Sequence, residues 1–182
     1  MSKAIGMIEF KTVSAGITAA DTMVKTAQVE LLEAQTDCPG KYIALIGGAL
    51  SAVQAAVEAA KQVRGEELIG SFVLGNPHES IFPAIYGSTH IEKVNAFGIL
   101  ETYDAASIIV AADVAAKTAI VDLIELRIAK GMCGKSYLIL TGEVAAVEAA
   151  IGKAKQAAAK DGMYLDSSVI AHPDEQICRS IL

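Results

Sequence analysis

Thiols, imidazoles and lysines are the side chains of this sequence able to hold a metal, move a proton or repeat a contact, and their spacing narrows what they do. The cysteines are Cys38, Cys133 and Cys178, widely spaced and odd in number. They make no disulfide framework and no CxxC pair, and a reducing compartment keeps such residues as thiols. Cys38 stands in "QTDCPGKY", residues 35–42, between two apolar runs. Pro39 stiffens this turn and Gly40 admits unusual backbone angles, so the thiol can be held without a bulky flank. Lys41 would favour a thiolate, whereas Asp37 would oppose it. Taken alone, Cys38 reads as a thiol in a β-turn with no ligand. His78, His90 and His172 show no HExxH or other metal-ligand spacing, and no nucleophile–base pair stands out, so an enzyme is not expected. "AKGMCGKS" ends like a phosphate-binding loop. Ala129, however, occupies the place of its first glycine, and Ser136 leads into "YLILTG", a strand rather than a helix.

The elements that must position these residues occur twice. "AIGMIEF" from Ala4 returns as "AFGILET" from Ala96, and "AADTMVKTAQVELLE" from Ala19 returns as "AADVAAKTAIVDLIE" from Ala111. Gly6 and Gly98, like Lys25 and Lys117, stand 92 residues apart, while "GKYIALIGG" from Gly40 and "GKSYLILTG" from Gly134 stand 94 apart. The second copy therefore carries two extra residues in the loop where the first carries Cys38. "NPHESIF" from Asn76 answers to "HPDEQIC" from His172. A repeat of this length is a plausible small domain. The polar stretch "YGSTHIEKVN", residues 86–95, suits a linker, giving domains 1–90 and 91–182.

Within each copy Ile17, Ala20, Val24 and Ala27 recur at helical spacing, matched by Ile109, Ala112, Ala116 and Ala119. Leu50, Val53, Val57 and Ala60 do the same, matched by Val144, Val147, Ile151 and Ala154, so two core-facing helices per copy are expected. The runs "IGMIEF", "VELLEA", "YIALIGG" and "IGSFVLG" read as strands. The order strand, helix, strand, strand, helix, strand, then a short helix near His78 or Asp174, implies an α+β fold. Each copy is an antiparallel sheet with helices, close to a ferredoxin-like unit. "TDCPGK" and "AKGMCGK" then become equivalent turns between the second and third strands.

Composition excludes several classes. Hydrophobic residues make up 53% of the 182, ample for buried cores. Mean hydropathy is +0.43, yet Asp113 and Lys117 interrupt the longest apolar run, so no membrane span is expected. Glu9 arrives before a signal-peptide apolar region can develop, and the cytoplasm is the expected compartment. Net charge is −6 without a basic block, which argues against nucleic acid as a partner.

"AIGMIE", the "AADTMVKTAQVELLE" passage, the Gly-Lys turn, "GGALSAVQAAVEAA" and the "NPHE" segment together resemble the bacterial microcompartment shell domain, over nearly the whole of both copies. Two copies in one chain resemble the trimeric tandem-domain class, in which three chains imitate a six-domain hexagonal tile. Each copy starts with its "GxxE" strand, so the order is not circularly permuted. The resemblance implies a structural, non-enzymatic shell protein, a homotrimer tiling beside other microcompartment shell proteins. It implies that the turn between the second and third strands lines a central pore, here Asp37, Pro39 and Gly40 with Met132, Cys133 and Gly134. The "CPGK" turn is further similar to one whose cysteine is implicated in holding an iron–sulfur cluster. By that resemblance Cys38 of three chains would hold one 4Fe-4S cluster per trimer, three symmetry-equivalent sulfurs meeting on the axis. Electron transfer across the shell, with a redox enzyme or electron carrier as partner, or cluster delivery would follow. Cys133 falls opposite Pro39, so it does not match Cys38 residue for residue; Cys178 reads as a small hydrophobe. Lys25, Lys117, His78 and His172 are placed at the tile's edge by the same resemblance, although read singly they are solvated lysines and exposed helix starts. A shell trimer with an open or gated pore and no cluster, or an unrelated tandem ferredoxin-like binding or regulatory module, are the alternatives.

Overall fold

The computed structural model describes residues 4–182. The first repeat runs β1 (Ala4–Phe10), α1 (Val13–Thr26), β2 (Val29–Asp37), β3 (Lys41–Gly48), α2 (Leu50–Lys61), β4 (Leu68–Gly75) and the short α3 (Ile81–Ile85), with one 3-10 turn at Gly65–Glu67. The second runs β5 (Ala96–Thr102), α4 (Ala105–Thr118), β6 (Asp122–Arg127), β7 (Ser136–Gly142), α5 (Val144–Lys160), β8 (Tyr164–Ala171) and α6 (Glu175–Ile181). The sheets have strand orders β2-β3-β1-β4 and β6-β7-β5-β8, with every pairing antiparallel. This is the ferredoxin-like order, and each copy opens on its own Gly-x-x-Glu strand. The duplication extends to irregularities. β1 slips register against β4 between Glu9 and Phe10, and β5 against β8 between Glu101 and Thr102. β2 slips against β3 between Leu31 and Glu33, and β6 against β7 between Leu123 and Glu125.

Local chemistry sets the helix ends. Thr12 caps α1 by accepting from the Ala15 N–H, and Asp104 caps α4 by accepting from the Ser107 N–H. Lys25 and Lys117 lie in the last turns, where positive charge complements the helix dipole. In the first unit Ala4, Ile8 and Phe10 of β1 pack with Ala15, Ala19 and Met23 of α1 and Val53, Ala56 and Val57 of α2. β1 presents no side chain at Gly6, and α2 fills that space with Val53 and Val57. Gly98 repeats the arrangement beneath Val147 and Ile151 of α5.

One expectation is corrected here. Ile17, Val24 and Leu50, expected to face the core, are exposed. The buried face of α1 is instead Ala15, Gly16, Ala19, Ala20 and Met23, because a Cβ at Gly16 would collide with the Tyr42 ring of β3. A small-residue face brings the helix axis close to the sheet, and the bulkier Ile17 and Val24 turn outward. The chain also packs as two units that divide after Pro77, the second running from His78 to Leu182. The segment from His78 to His90, which the repeat boundary at residue 90 gave to the first domain, packs with the second unit through α3 against β6 and α4.

Candidate functional site

Cys38 lies at the tip of the β2–β3 turn and is exposed, as are Pro39 and Gly40. The turn is closed by the Gly40 N–H donating to the Asp37 carbonyl at 2.8 Å. Gly40 has φ +105, a conformation that side chains resist, and there glycine is required. The Asp37 carboxylate folds back on the turn, its Oδ1 accepting from the Cys38 N–H at 2.6 Å. The base of the thiol is thereby held by its own neighbour through a local side-chain-to-backbone hydrogen bond.

Register explains what lies beneath. Asp37 pairs with Lys41, and two residues on Ile43 pairs with Glu9, so Glu9, Asp37 and Lys41 share one sheet face. That face is opposite the one packed by α1 and α2, to which Ala4, Ile8 and Phe10 belong. Glu9 and Asp37 are buried, and the Lys41 ammonium pairs with Glu9 Oε1 at 2.9 Å. This replaces the expectation that Lys41 would act on the thiol, because its ammonium is committed to Glu9. Asp37 Oδ2 has no hydrogen-bond partner among the described residues. Burial pushes the Asp37 carboxyl above the usual carboxylate range; the Cys38 N–H pulls it down, Glu9 raises it and Lys41 lowers it.

The equivalent β6–β7 turn is built differently. Ala129, Gly131, Cys133 and Gly134 all have positive φ, and the Ala129 N–H donates to Ser136 Oγ at 2.9 Å. Cys133 is exposed, Met132 half-buried and Gly134 buried. Ser136 opens β7 instead of a helix. Cys178 is half-buried, with its sulfur 3.9 Å from the Pro173 carbonyl. Among the described residues no group of three or more His, Cys, Asp or Glu is arranged to hold a metal. One chain thus offers a single exposed thiol at each of two turns.

Lys25 and Lys117 share one recurrent device that sequence reading missed, which His78 joins in the second unit and His172 does not. Asp113, four residues before Lys117, accepts from the His78 N–H with Oδ1 and pairs with Lys117 Nζ through Oδ2, each at 2.7 Å. Asp21, four before Lys25, pairs with Lys25 at 2.6 Å on an exposed surface. The His78 ring meets Ser80 Oγ at 2.8 Å, and the His172 N–H donates to the Asn95 carbonyl at 2.9 Å. The repeated Asp-x-x-x-Lys spacing was the available signal.

In this duplicated ferredoxin-like unit Cys38 and Cys133 stand exposed on the turns, and Lys25 and Lys117 stand in the last turns of helices. Both repeats match the BMC domain, over residues 4–77 and 96–173, and the chain belongs to the BMC-domain family of microcompartment shell proteins. It is similar to the bacterial microcompartment shell protein PduT of Citrobacter freundii, 39% identical over 182 residues, covering 100% of this chain and 99% of that protein. The carboxysome shell protein CcmK2 of Synechocystis is 39% identical over 85 residues, 44% of this chain and 82% of that protein, as a one-repeat relative would be. Among solved structures, a microcompartments protein from Desulfitobacterium hafniense superposes with a TM-score of 0.92 at 45% identity, covering 98% of this chain and 99% of that one.

Proposed function

We propose that the chain is a tile of a microcompartment shell, a homotrimer of pseudo-hexagonal outline that packs beside other shell proteins. At its centre Cys38 of three copies holds a 4Fe-4S cluster for electron transfer across the shell or for cluster delivery. The observation that carries the reading is the exposed Cys38 thiol, fixed at the tip of its turn by the Asp37 carboxylate and Gly40, in a chain similar along its whole length to PduT. A 4Fe-4S cluster is commonly held by four cysteine thiolates. A single chain cannot meet that demand, so the fit requires that copies contribute one thiol each. When bound, such a cluster takes up and gives back single electrons. The chain's own part is to present the sulfur, to keep its turn in one shape and to leave it accessible. No substrate turnover is assigned.

Purification without oxygen tests the cluster. The expected result is a brown protein with iron and sulfide in stoichiometric excess over Cys38→Ser, in which colour and metal are lost while the sedimentation profile is kept. A colourless chain no richer in iron than Cys38→Ser removes the cluster and leaves the rival reading, a shell trimer with an open or gated metabolite pore. Sedimentation tests the tile itself: the expected result is association into trimers or larger assemblies, and a chain that never associates would remove the tile reading.

A further inference from the structure

Both turn cysteines are exposed, but the residues behind them differ. Asp37 precedes Cys38 and holds its N–H through Oδ1 at 2.6 Å, whereas Met132 precedes Cys133 and brings a thioether, a weak acceptor. What lies beneath differs too. Glu101 and Lys135 are the counterparts of Glu9 and Lys41, yet Glu101 is half-buried and Lys135 exposed, while Glu9 is buried and takes the Lys41 ammonium at 2.9 Å. Lys41 also has a second carboxylate within reach. Asp37 is its cross-strand partner, and side chains opposite one another in an antiparallel pair leave the backbone about 4.5–5.5 Å apart. Glu9 and Asp37 therefore compete for one ammonium, and Asp37 Oδ2 is buried without a partner among the described residues. A buried carboxylate oxygen left unpaired is costly, so an ammonium released by Glu9 would turn to Asp37. Pairing there draws the Asp37 carboxylate aside and offsets its charge, and both slacken its charge-assisted bond to the Cys38 N–H.

We infer that Glu9 is a positioning residue for the Cys38 thiol: by keeping the Lys41 ammonium it leaves Asp37 to brace the turn on which that sulfur stands. Glu9 acts through Lys41 and Asp37 and touches neither the thiol nor a metal. The inference rests on the reading of Cys38 as a cluster ligand and adds to it the group, brought from β1 by sheet register, that keeps the ligand's turn in one shape. A loosened turn exposes a metal–sulfur bond to competing ligands, so the brace is read in how long iron stays.

Amide hydrogen exchange at Cys38, in the full chain prepared without iron, tests the brace by itself. Asp37→Ala and Glu9→Gln should each exchange at least about fivefold faster there than wild type, while Asp37→Asn, which keeps an accepting oxygen, stays near it. Glu9→Asp keeps the charge but withdraws it from Lys41, and should fall between. Adding Lys41→Met to Glu9→Gln removes the competitor, so protection at Cys38 should return, a rescue that a merely structural role for Glu9 does not give. Unchanged exchange at Leu45 and Ile46 of β3 marks the variants that fold. In the chain purified without oxygen, iron loss to a chelator should follow the same order. Exchange at Cys38 equal to wild type in the folded Glu9 variants, or no slower in the double variant than in Glu9→Gln, overturns this inference alone. A wild-type chain that takes up no iron overturns the cluster reading, and the role of Glu9 toward a metal-binding sulfur with it.

Discussion

Glu9 and Asp37 occupy one buried sheet face with Lys41, and geometry gives the ammonium to Glu9. Asp37 is left to the backbone of the next residue, which is how a buried carboxyl comes to hold the turn that carries an exposed thiol. Among the described residues the second repeat has no such trio at its turn. It has instead Tyr137, whose hydroxyl donates to Glu125 Oε2 at 2.7 Å, beneath Arg127, whose guanidinium sits 5.7 Å from the ring centroid and pairs with Glu125 Oε1 at 2.6 Å. Burial first, and then the bond to Glu125, push the Tyr137 phenol up to about 12 from 10.0. Below 10.0 the phenol is protonated in both folded and unfolded chains, so its stabilisation is fully present. Between 10.0 and about 12 the unfolded chain has released the proton that the folded chain keeps, so stability falls as pH rises. Tyr137→Phe should cost about 1 kcal/mol at neutral pH through the lost hydrogen bond. It should also flatten the alkaline fall of the urea midpoint, by at most about 1.4 kcal/mol per pH unit before solvent screening trims it. An alkaline slope identical in the two proteins would refute the assignment.

At the level of elements, helices lie on sheets at glycines. A Cβ at Gly6 would stand 2.6 Å from Val53 Cγ1 and 2.7 Å from Val57 Cγ2, and one at Gly98 would stand 2.7 Å from Ile151 Cγ1 and 2.8 Å from Val147 Cγ1. Close packing transmits such overlap as strain. Gly6→Ala and Gly98→Ala should each cost about 1–3 kcal/mol, read from urea unfolding, whereas Gly152→Ala on α5, where a Cβ meets nothing within 4 Å, should be neutral or slightly stabilising. Equal effects at all three positions would contradict the packing described. Element order was legible because apolar periods and turn residues repeat along the chain, and two copies of one pattern exclude accident. The orientation of α1 was not legible, since its buried face is made of Ala and Gly and hydrophobicity alone favours Ile17 and Val24. Lys41 could be seen beside the thiol in sequence, but Glu9, 32 residues away, is brought beneath it only by the β1–β3 register. Cys38 itself was legible as a turn thiol, while its fixing by Asp37 depends on a backbone geometry that residue types do not reveal.

For the whole molecule, the repeat boundary and the folding boundary are separate things. Sequence duplication places the joint in the polar stretch after Tyr86, yet packing places it after Pro77, because α3 buries Ile81 and Ala84 in the second unit and the His78 N–H meets Asp113 there. A fragment spanning residues 78–182 keeps these contacts. One spanning residues 91–182 uncovers the side of β6 and α4 that α3 packs against and strands the buried Asp113 carboxylate without the His78 N–H. Full burial of an isoleucine side chain is worth about 1.5–3 kcal/mol, and loss of a hydrogen bond to a buried charge about 1.5–3 kcal/mol more. The longer fragment should therefore unfold cooperatively in urea and give dispersed amide resonances, with a stability several-fold above the measurement error relative to the shorter one, which should precipitate or unfold at much lower denaturant. Fragments of equal stability would mean that α3 is a passenger on the second unit. In that case the division after Pro77 would carry no energy, and the burial of Ile81 and Ala84 would add nothing to the unit that covers them.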